Sequence, residues 1–152
     1  MSNDQRKLKK KLEKAGALVS VNKAGEVKAI QFVGKRTTDK HLELLAEATE
    51  VEKLIVSYSD ITDDGLVHLA PLKKLRILSL FRNSIGDAGI AHLEQLTSLE
   101  QLNLEETGLS DRGIPVLCKL KILERVSMDH ESVSQKAEDM LQEALPNCQI
   151  YR

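Results

Sequence analysis

An apolar pattern that returns every 24 residues constrains this chain more than any other feature of its sequence. One set of positions with that interval is Leu54, Leu78, Leu102 and Val126. Further sets keep it: Val56, Leu80, Leu104 and Met128; Ile61, Ile85, Leu109 and Val133; Gly65, Gly89 and Gly113. A fixed period of about 20 to 50 residues indicates supersecondary units that stack and share one core. The frame divides the chain into five units, 27–50, 51–74, 75–98, 99–122 and 123–146.

Each unit opens with apolar residues in strand spacing. In the second unit they are Val51, Leu54 and Val56, and the last two lie two residues apart. A step of two places side chains on the same face of a strand, so we expect these residues to face a shared core.

The second part of each unit changes to helical spacing. Apolar residues recur at three-residue steps, as at Leu66, Leu69 and Leu72, and predict one buried helical face. Hydroxyl and acidic residues precede this face, where they suit the capping position and the first turn of a helix. They are Thr38, Thr62 and Ser110, followed by Asp39, Asp63, Asp87 and Asp111.

A glycine recurs just inside the three middle helices, at Gly65, Gly89 and Gly113. Glycine within a helix costs about 1 kcal/mol relative to alanine, so its recurrence predicts a steric cause. We expect the start of each helix to approach the neighbouring unit closely. His41 and Ala137 hold this slot in the terminal units, where crowding would be relieved.

Strand followed by helix in every unit predicts an α/β solenoid. Its parallel strands would form the concave face and its helices the convex face. Parallel strands lie about 4.8 Å apart whereas helices are wider, so we expect the stack to curve.

Both ends of the stack need covers for the core. Residues 1–26 are expected to form an N-terminal cap, with a helix at 4–15 and a hairpin that begins at Leu18. Residues 27–152 are expected to form the repeat domain, and the whole chain one structural domain. A helix from Gln135 to Leu145 and a short strand over Asn147–Ile150 would close the other end.

The consensus LxxLxLxx(N/T)xIxDxGLxxLxxLxx resembles a leucine-rich repeat over residues 27–150. The variant ITDxGL, which begins at Ile61, resembles the leucine-rich repeats of planctomycete-like bacterial proteins, as does the ending LPNCQI. This resemblance implies a non-catalytic protein-protein interaction module or scaffold that needs no cofactor. The repeats also resemble, more distantly, the cysteine-containing leucine-rich repeats of F-box proteins. No F-box-like segment accompanies them here, so a ubiquitin-ligase role does not carry over.

The composition limits the classes of partner. A formal net charge of -1 gives no general attraction to nucleic acid or to membranes. No apolar run approaches the roughly 18 residues of a membrane span, and the charged N-terminus does not resemble a secretory signal. Cys118 and Cys148 are too few for a disulfide framework and predict reduced thiols in the cytoplasm.

Strand residues that point away from the core are expected to form columns on the concave face. The middle units place apolar, aromatic and arginine side chains there, as the cores of protein interfaces do. The later units place acidic side chains on this face, which would attract a basic partner segment. The predicted partner-binding residues are Ile55, Tyr58, Ile77, Phe81, Arg82, Glu105, Glu106 and Asp129. The alternatives are scattered surface apolar residues and a solvated acidic face.

No constellation of residues predicts catalysis or metal binding. His68 and His92 share one slot of the repeat, but no third ligand accompanies them. Glu105 and Asp129 are neighbouring carboxylates on an open face, which is a poor setting for an acid–base pair. We therefore expect neither an enzyme nor a metal protein.

A basic cluster near the N-terminus offers another kind of function. Its members are Arg6, Lys7, Lys9, Lys10, Lys11 and Lys14. They could contact nucleic acid or an anionic surface, although the interruption by Glu13 and the absence of aromatic residues favour a solvated cap helix. A third alternative is a purely structural unit that self-assembles or forms part of a larger array. The sequence names neither the partner nor the oligomeric state.

Overall fold

The computed structural model describes residues 2–152 of the chain, and its strands form one open seven-stranded sheet in sequential order. The first strand pairs antiparallel with the second, and the others are parallel. The strands are β1 (Leu18–Val21), β2 (Val27–Val33), β3 (Lys53–Ser57), β4 (Ile77–Ser79), β5 (Gln101–Asn103), β6 (Arg125–Ser127) and β7 (Gln149–Tyr151).

Strand pairing follows the 24-residue interval residue for residue. Leu54 of β3 pairs with Leu78 of β4, which lies beside Leu102 of β5 and then Val126 of β6. These four side chains are buried, and each contributes to one continuous aliphatic core. The predicted α/β solenoid, with a parallel sheet on one side and helical segments on the other, is confirmed.

Helical segments cover the other side of the sheet, and those between α1 and α5 are short. The α-helices are α1 (Asn3–Lys14), α2 (Asp39–Leu42), α3 (Asp87–Ile90), α4 (Ile114–Leu117) and α5 (Gln135–Ala144). Three 3₁₀ helices complete this side, at Glu43–Glu47, Asp63–Leu69 and Ala91–Gln95. The three-residue step of the apolar positions matches the roughly 3.0 residues per turn of a 3₁₀ helix, so one side chain in three faces the core.

The recurring aspartates connect each unit to the next. Asp39 accepts hydrogen bonds from both the backbone N–H and the hydroxyl of Thr62, at 2.9 and 2.7 Å. Asp111 binds Ser134 in the same two ways, both at 2.7 Å. Asp39 lies in the first turn of its own helical segment, whereas Asp111 precedes α4. Each binds the N-cap residue of the following helical segment.

The glycines lie against these aspartates. A Cβ atom on Gly65 would come within 2.2 Å of Asp39 Oδ1, and one on Gly89 within 2.4 Å of Asp63 Oδ1. The expected close approach between neighbouring units is confirmed, and its contacting group is the capping carboxylate.

One predicted helix start is wrong. The capping position of the fourth unit was assigned to Ser110, but α4 begins at Ile114 and follows Gly113. The Ser110 hydroxyl instead donates to Asp87 Oδ2 of the preceding unit.

Both ends carry the expected elements. Leu8 and Leu12 of α1 are buried against the first unit, and β1 forms the hairpin with β2. At the C-terminus, β7 begins two residues later than predicted and pairs in parallel with β6. The division of the chain between residues 26 and 27 stays a prediction, and Met1 of the proposed cap lies outside the described residues.

Candidate protein-binding face

The parallel register builds two complete columns on the concave face. Lys53 lies beside Ile77, and this column continues through Gln101 to Arg125. Ile55 lies beside Ser79, and its column continues through Asn103 and Ser127. Both columns agree with the arrangement that the repeat predicts.

Two exposed residues extend the second column beyond the predicted set. Leu18 of β1 pairs with Gln31 at one end, and Tyr151 of β7 pairs with Ser127 at the other. Tyr151 lies one repeat interval after Ser127, so the sequence could have predicted its position in this column. Leu18 has no such signal, because its position depends on the register of the antiparallel hairpin.

The chain turns in a left-handed conformation one to three residues after the ends of three successive strands. Tyr58, Arg82 and Glu106 occupy the same slot of their units, with φ of 54°, 57° and 51°. Gly34 holds this slot in the first unit, with φ of 105°. For a residue other than glycine, the left-handed backbone conformation costs about 1 to 2 kcal/mol. Three consecutive units therefore hold an unfavourable backbone conformation at one side of the concave face.

These turns bring the predicted aromatic and charged residues into contact. The rings of Tyr58 and Phe81 meet edge to face, with centroids 5.0 Å apart and an interplanar angle of 82°. Arg82 Cζ lies 5.2 Å from the centre of the Tyr58 ring. Arg82 Nε lies 3.1 Å from Glu106 Oε2, and the Glu106 backbone N–H donates to Asp129 Oδ2 at 2.7 Å. We call these five residues the concave-edge cluster.

A depression of about 380 Å³ opens beside the aromatic pair. Ile55, Tyr58 and Phe81 line it together with Val33, which is 56% exposed. Glu105 belongs to the same wall, where its Oε2 accepts a hydrogen bond from Asn103 Nδ2 at 3.2 Å. The site therefore places an apolar surface next to a carboxylate.

The structure separates some of the predicted site residues. Ile77 lines a second depression of about 360 Å³ with Arg125 and Tyr151, on the other side of Ser79. Arg82, Glu106 and Asp129 line neither depression and form the rim beyond the first one. The predicted residues thus form a strip across β3 to β6 on the concave face rather than one pocket. Val33, which is not among the predicted partner-binding residues, extends this strip to β2, because it follows the buried Phe32 in that strand.

Charge is unevenly distributed across the strands. The carboxylates of Glu105, Glu106 and Asp129 lie near the carboxyl ends of the strands. Lys53 and Arg125 lie in the column nearest the amino ends. The amino-terminal side also carries Glu52 and Glu100, which pair with Lys28 and Arg76, so charges of both signs lie there.

The two cysteines are unsuited to nucleophilic chemistry. Both thiols are free, and burial raises the pKa of Cys118 and of Cys148 above the ordinary value. A raised pKa keeps the thiol protonated at neutral pH, and the thiolate is the reactive form.

The histidines and other potential metal ligands do not converge. His68 and His92 lie in separate 3₁₀ helices, at Asp63–Leu69 and Ala91–Gln95. Within residues 2–152 no group of three or more His, Cys, Asp or Glu side chains is placed to hold a metal ion.

Helix α1 carries the basic cluster in a largely exposed setting, with two members engaged by carboxylates. Lys9 pairs with Glu13 on the same helix, and Lys11 pairs with Glu47 of the first repeat unit. In the described part of the chain, no helix combines the length and apolar character needed to cross a membrane.

Comparison with known families and structures agrees with this architecture. The family model described as "Leucine Rich repeat" matches residues 49–70 and 72–93. These ranges cover most of the second and third units. No curated protein sequence matches the chain.

Several solved structures are similar to this chain. The C-terminal domain of Caenorhabditis elegans tropomodulin has 19% identity and a TM-score of 0.66, and the match covers 95% of this chain and 93% of that one. Internalin C2 of Listeria monocytogenes has 25% identity and a TM-score of 0.57 over 71% of this chain. A leucine-rich-repeat protein of Leptospira interrogans has 24% identity and a TM-score of 0.55 over 72% of this chain. The matches span only 44% of the Listeria chain and 27% of the Leptospira chain.

Proposed function

We propose that this leucine-rich-repeat chain is a non-catalytic module that binds a protein partner on its concave strand face. The observation that carries the proposal is the concave-edge cluster, in which Tyr58, Phe81 and Arg82 contact one another at the surface. Tyrosine and arginine dominate the binding energy of many protein interfaces. Tyr58 is 46% exposed although its ring is held in a fixed geometry.

The left-handed backbone at the cluster supports the same function. Backbone strain tends to gather at binding sites, where it fixes side chains before the ligand arrives. A fixed cluster loses little conformational entropy on binding, which favours affinity. The depression beside Ile55 and Phe81 provides room for an apolar side chain of the partner.

The test compares capture of a protein partner by wild type and by the Tyr58→Ala/Phe81→Ala variant. Crosslinking pull-down from lysate of the native cell is expected to recover the partner with wild type only. The double variant is expected to melt within about 4 °C of wild type, because 1 kcal/mol shifts the melting temperature of a chain this size by about 2 to 4 °C.

A matched control removes two other exposed apolar side chains outside the concave face. Val67 and Ile122 are 48% and 50% exposed. The Val67→Ala/Ile122→Ala variant should retain the partner. Normal capture by the Tyr58→Ala/Phe81→Ala variant would rule out the concave face.

The repeat type and the location of the protein are part of the same proposal. We propose that the units are of the bacterial ITDxGL type, which is supported by the run from Ile61 to Leu66. A cytoplasmic location is supported by the free thiols of Cys118 and Cys148.

A second candidate function is contact between α1 and nucleic acid or an anionic surface. Exposure of Arg6, Lys7 and Lys10 supports it, whereas the ion pairs of Lys9 and Lys11 reduce the free positive charge. Titration with DNA, RNA and acidic lipid vesicles at low ionic strength is the test. Binding without a decrease on addition of salt, or no binding, would remove this candidate.

Self-assembly is a third candidate, and the outer edge of β1 favours it. This strand pairs with β2 alone among the described residues, and its Leu18 is 70% exposed. Exposed edge strands can add a strand from another chain. Light scattering over a range of concentrations separates a monomer from an assembling unit.

A further inference from the structure

We infer that the partner binds through a basic segment, in which an apolar side chain occupies the depression beside Tyr58 and an adjacent lysine or arginine contacts the carboxylates of the rim. This inference rests on the proposed function and assigns the chemistry of the partner. The following observations support its two halves separately.

The apolar half rests on the shape and lining of the depression. Val33, Ile55, Tyr58 and Phe81 form the apolar part of the wall of an open depression of about 380 Å³, which is enough for one large aliphatic or aromatic side chain. The rest of the wall is polar and consists of Gln31, Ser57, Ser79, Asn103 and Glu105. Val33 and Tyr58 are exposed in the free chain, and a partner side chain would cover both. Removal of this apolar area from water favours binding.

The basic half rests on the charge next to that space. Glu105 lies in the wall of the depression, while Glu106 and Asp129 continue the rim. Arg82 is the cation in contact with this rim among residues 2–152 and pairs with Glu106. Three carboxylates against one guanidinium leave a negative rim, although the whole chain carries a formal charge of only -1.

Arg82 also demonstrates that a guanidinium fits at this edge. Its Cζ lies 5.2 Å from the centre of the Tyr58 ring while its Nε lies 3.1 Å from Glu106 Oε2. An aromatic face together with a carboxylate is a favourable environment for an arginine or lysine head group. A basic side chain of the partner at Glu105 or Asp129 would likewise contact a carboxylate.

The amino ends of the strands, opposite the rim, favour one orientation of the partner's basic segment. Lys53 and Arg125 lie in the column nearest the amino ends of the strands, where Glu52 and Glu100 are already paired with Lys28 and Arg76, so this side is less favourable for a cation than the rim. Charged residues across an interface fix orientation and exclude wrong partners more than they add affinity. The basic part of the segment therefore points toward the carboxyl ends of β5 and β6.

Selection from a displayed library of random twelve-residue peptides tests the chemistry directly. Wild type is the target, and peptides that also bind the Tyr58→Ala/Phe81→Ala variant are removed. The remaining peptides are expected to carry a large apolar residue within about three positions of a lysine or arginine, since the depression and the rim adjoin.

Neutralising the rim tests the charge contribution. Glu105→Gln/Glu106→Gln/Asp129→Asn should weaken binding of the selected peptides about tenfold in fluorescence anisotropy, and should reduce its salt dependence. The single Glu105→Gln variant should also weaken peptide binding. It disturbs the fold less than the triple variant, because among residues 2–152 the Glu105 side chain hydrogen-bonds to Asn103 alone. The control Glu43→Gln/Asp64→Asn/Glu143→Gln changes the charge equally at exposed helical positions and should bind as wild type does.

The outcomes distinguish this inference from the proposed function. Selected peptides that need Tyr58 and Phe81 but are acidic or uncharged would overturn the basic segment and leave the concave-face function in place. Unchanged affinity of the selected peptides for both rim variants would also overturn the basic segment and leave the concave-face function in place. If no peptide depends on Tyr58 and Phe81, the proposed function and the inference fail together.

Discussion

Asp87 binds Ser110 of the following unit through both of its carboxylate oxygens. Oδ1 accepts the backbone N–H at 2.8 Å, and Oδ2 accepts the hydroxyl at 2.6 Å. The same pair of hydrogen bonds joins Asp39 to Thr62 and Asp111 to Ser134. Such charge-assisted hydrogen bonds are stronger than neutral ones, and here each links one repeat to the next.

One connection in this series is incomplete, because Gly86 offers Asp63 only its backbone N–H, at 2.6 Å. A Cβ on Gly86 would lie 3.7 Å from Asp63 Oδ2, which is ordinary contact. Gly86→Ser should therefore add the missing hydroxyl bond and stabilise the protein by about 0.5 to 1.5 kcal/mol in urea unfolding. Gly86→Ala supplies the Cβ without the hydroxyl and serves as the control. Equal stability of the serine and alanine variants would contradict the prediction.

Gly89 lies where a side chain would overlap the preceding unit. Its Cβ would approach Asp63 Oδ1 to 2.4 Å and the Asp63 Cα to 2.9 Å. Gly89→Ala is expected to lower the free energy of unfolding by about 1 to 3 kcal/mol, although helix propensity alone favours alanine by about 1 kcal/mol. Urea titration followed by circular dichroism measures the change.

The control uses the same slot in the last unit, where Ala137 is natural and Asp111 still binds Ser134. Ala137→Gly should also destabilise the protein, because no overlap is relieved and helix propensity is lost. A neutral or stabilising Gly89→Ala would show that the contact with Asp63 does not explain the glycine.

The strands and the columns of the concave face were predictable because each depends on local periodicity. Side chains at Leu54 and Leu78 must be buried, and a parallel register of equal units places them side by side. The contacts of Tyr58 with Phe81 and Arg82 also depend on the left-handed turns, which the repeat interval does not reveal. The three-residue step of the apolar positions also fits 3₁₀ helices, whereas the sequence predicts helical segments without distinguishing 3₁₀ from α.

The partners of the aspartates could not be predicted, because a carboxylate in a first turn can serve its own helix or its neighbour. The distance between adjacent units decides, and Asp39 and Asp87 bind the next unit. The left-handed turns at Tyr58 and Glu106 were equally hidden, since neither residue favours that conformation. Only Gly34 in the first unit gave a signal for them.

Arg152 at the end of the described chain neutralises a buried carboxylate in α5. Its guanidinium donates to Glu138 Oε2 and to Gln135 Oε1. Glu138 is 4% exposed, and its Oε1 has no hydrogen-bond partner within residues 2–152. Arg152→Ala should cost about 1 to 3 kcal/mol, because it leaves that carboxylate buried without its counter-charge.

Chemical unfolding of paired variants checks this explanation. Glu138→Met in the Arg152→Ala background should recover most of the lost stability, since an apolar side chain needs no counter-charge. Arg112→Ala, at an exposed position, should change stability by less than about 0.5 kcal/mol. If Arg152→Ala is as mild as Arg112→Ala, the ion pair contributes nothing.

Hydrogen bonds from Ser134 make part of the stability depend on pH. The backbone N–H and then the hydroxyl of Ser134 hold the pKa of Asp111 below its ordinary value. A carboxyl whose pKa is lower in the folded chain stabilises it above the unfolded value of about 3.9. That contribution is lost as the pH falls through the lower, folded value. Asp111→Asn cannot titrate and should be less stable than wild type at pH 7, with a difference that shrinks below about pH 4.

Urea midpoints measured from pH 7 to about pH 2.5 show whether the two stability curves converge as this linkage requires. Ser134→Ala removes one of the two donors and the cap of α5, whose Ala137 N–H donates to Ser134 Oγ at 3.3 Å. This variant should show a constant loss from the cap together with a smaller convergence from Asp111. A stability difference between wild type and Asp111→Asn that stays constant down to the lowest pH would mean that folding does not shift the pKa of Asp111. The connection between the last two units would then rest on the geometry of the hydrogen bonds rather than on the charge of the aspartate.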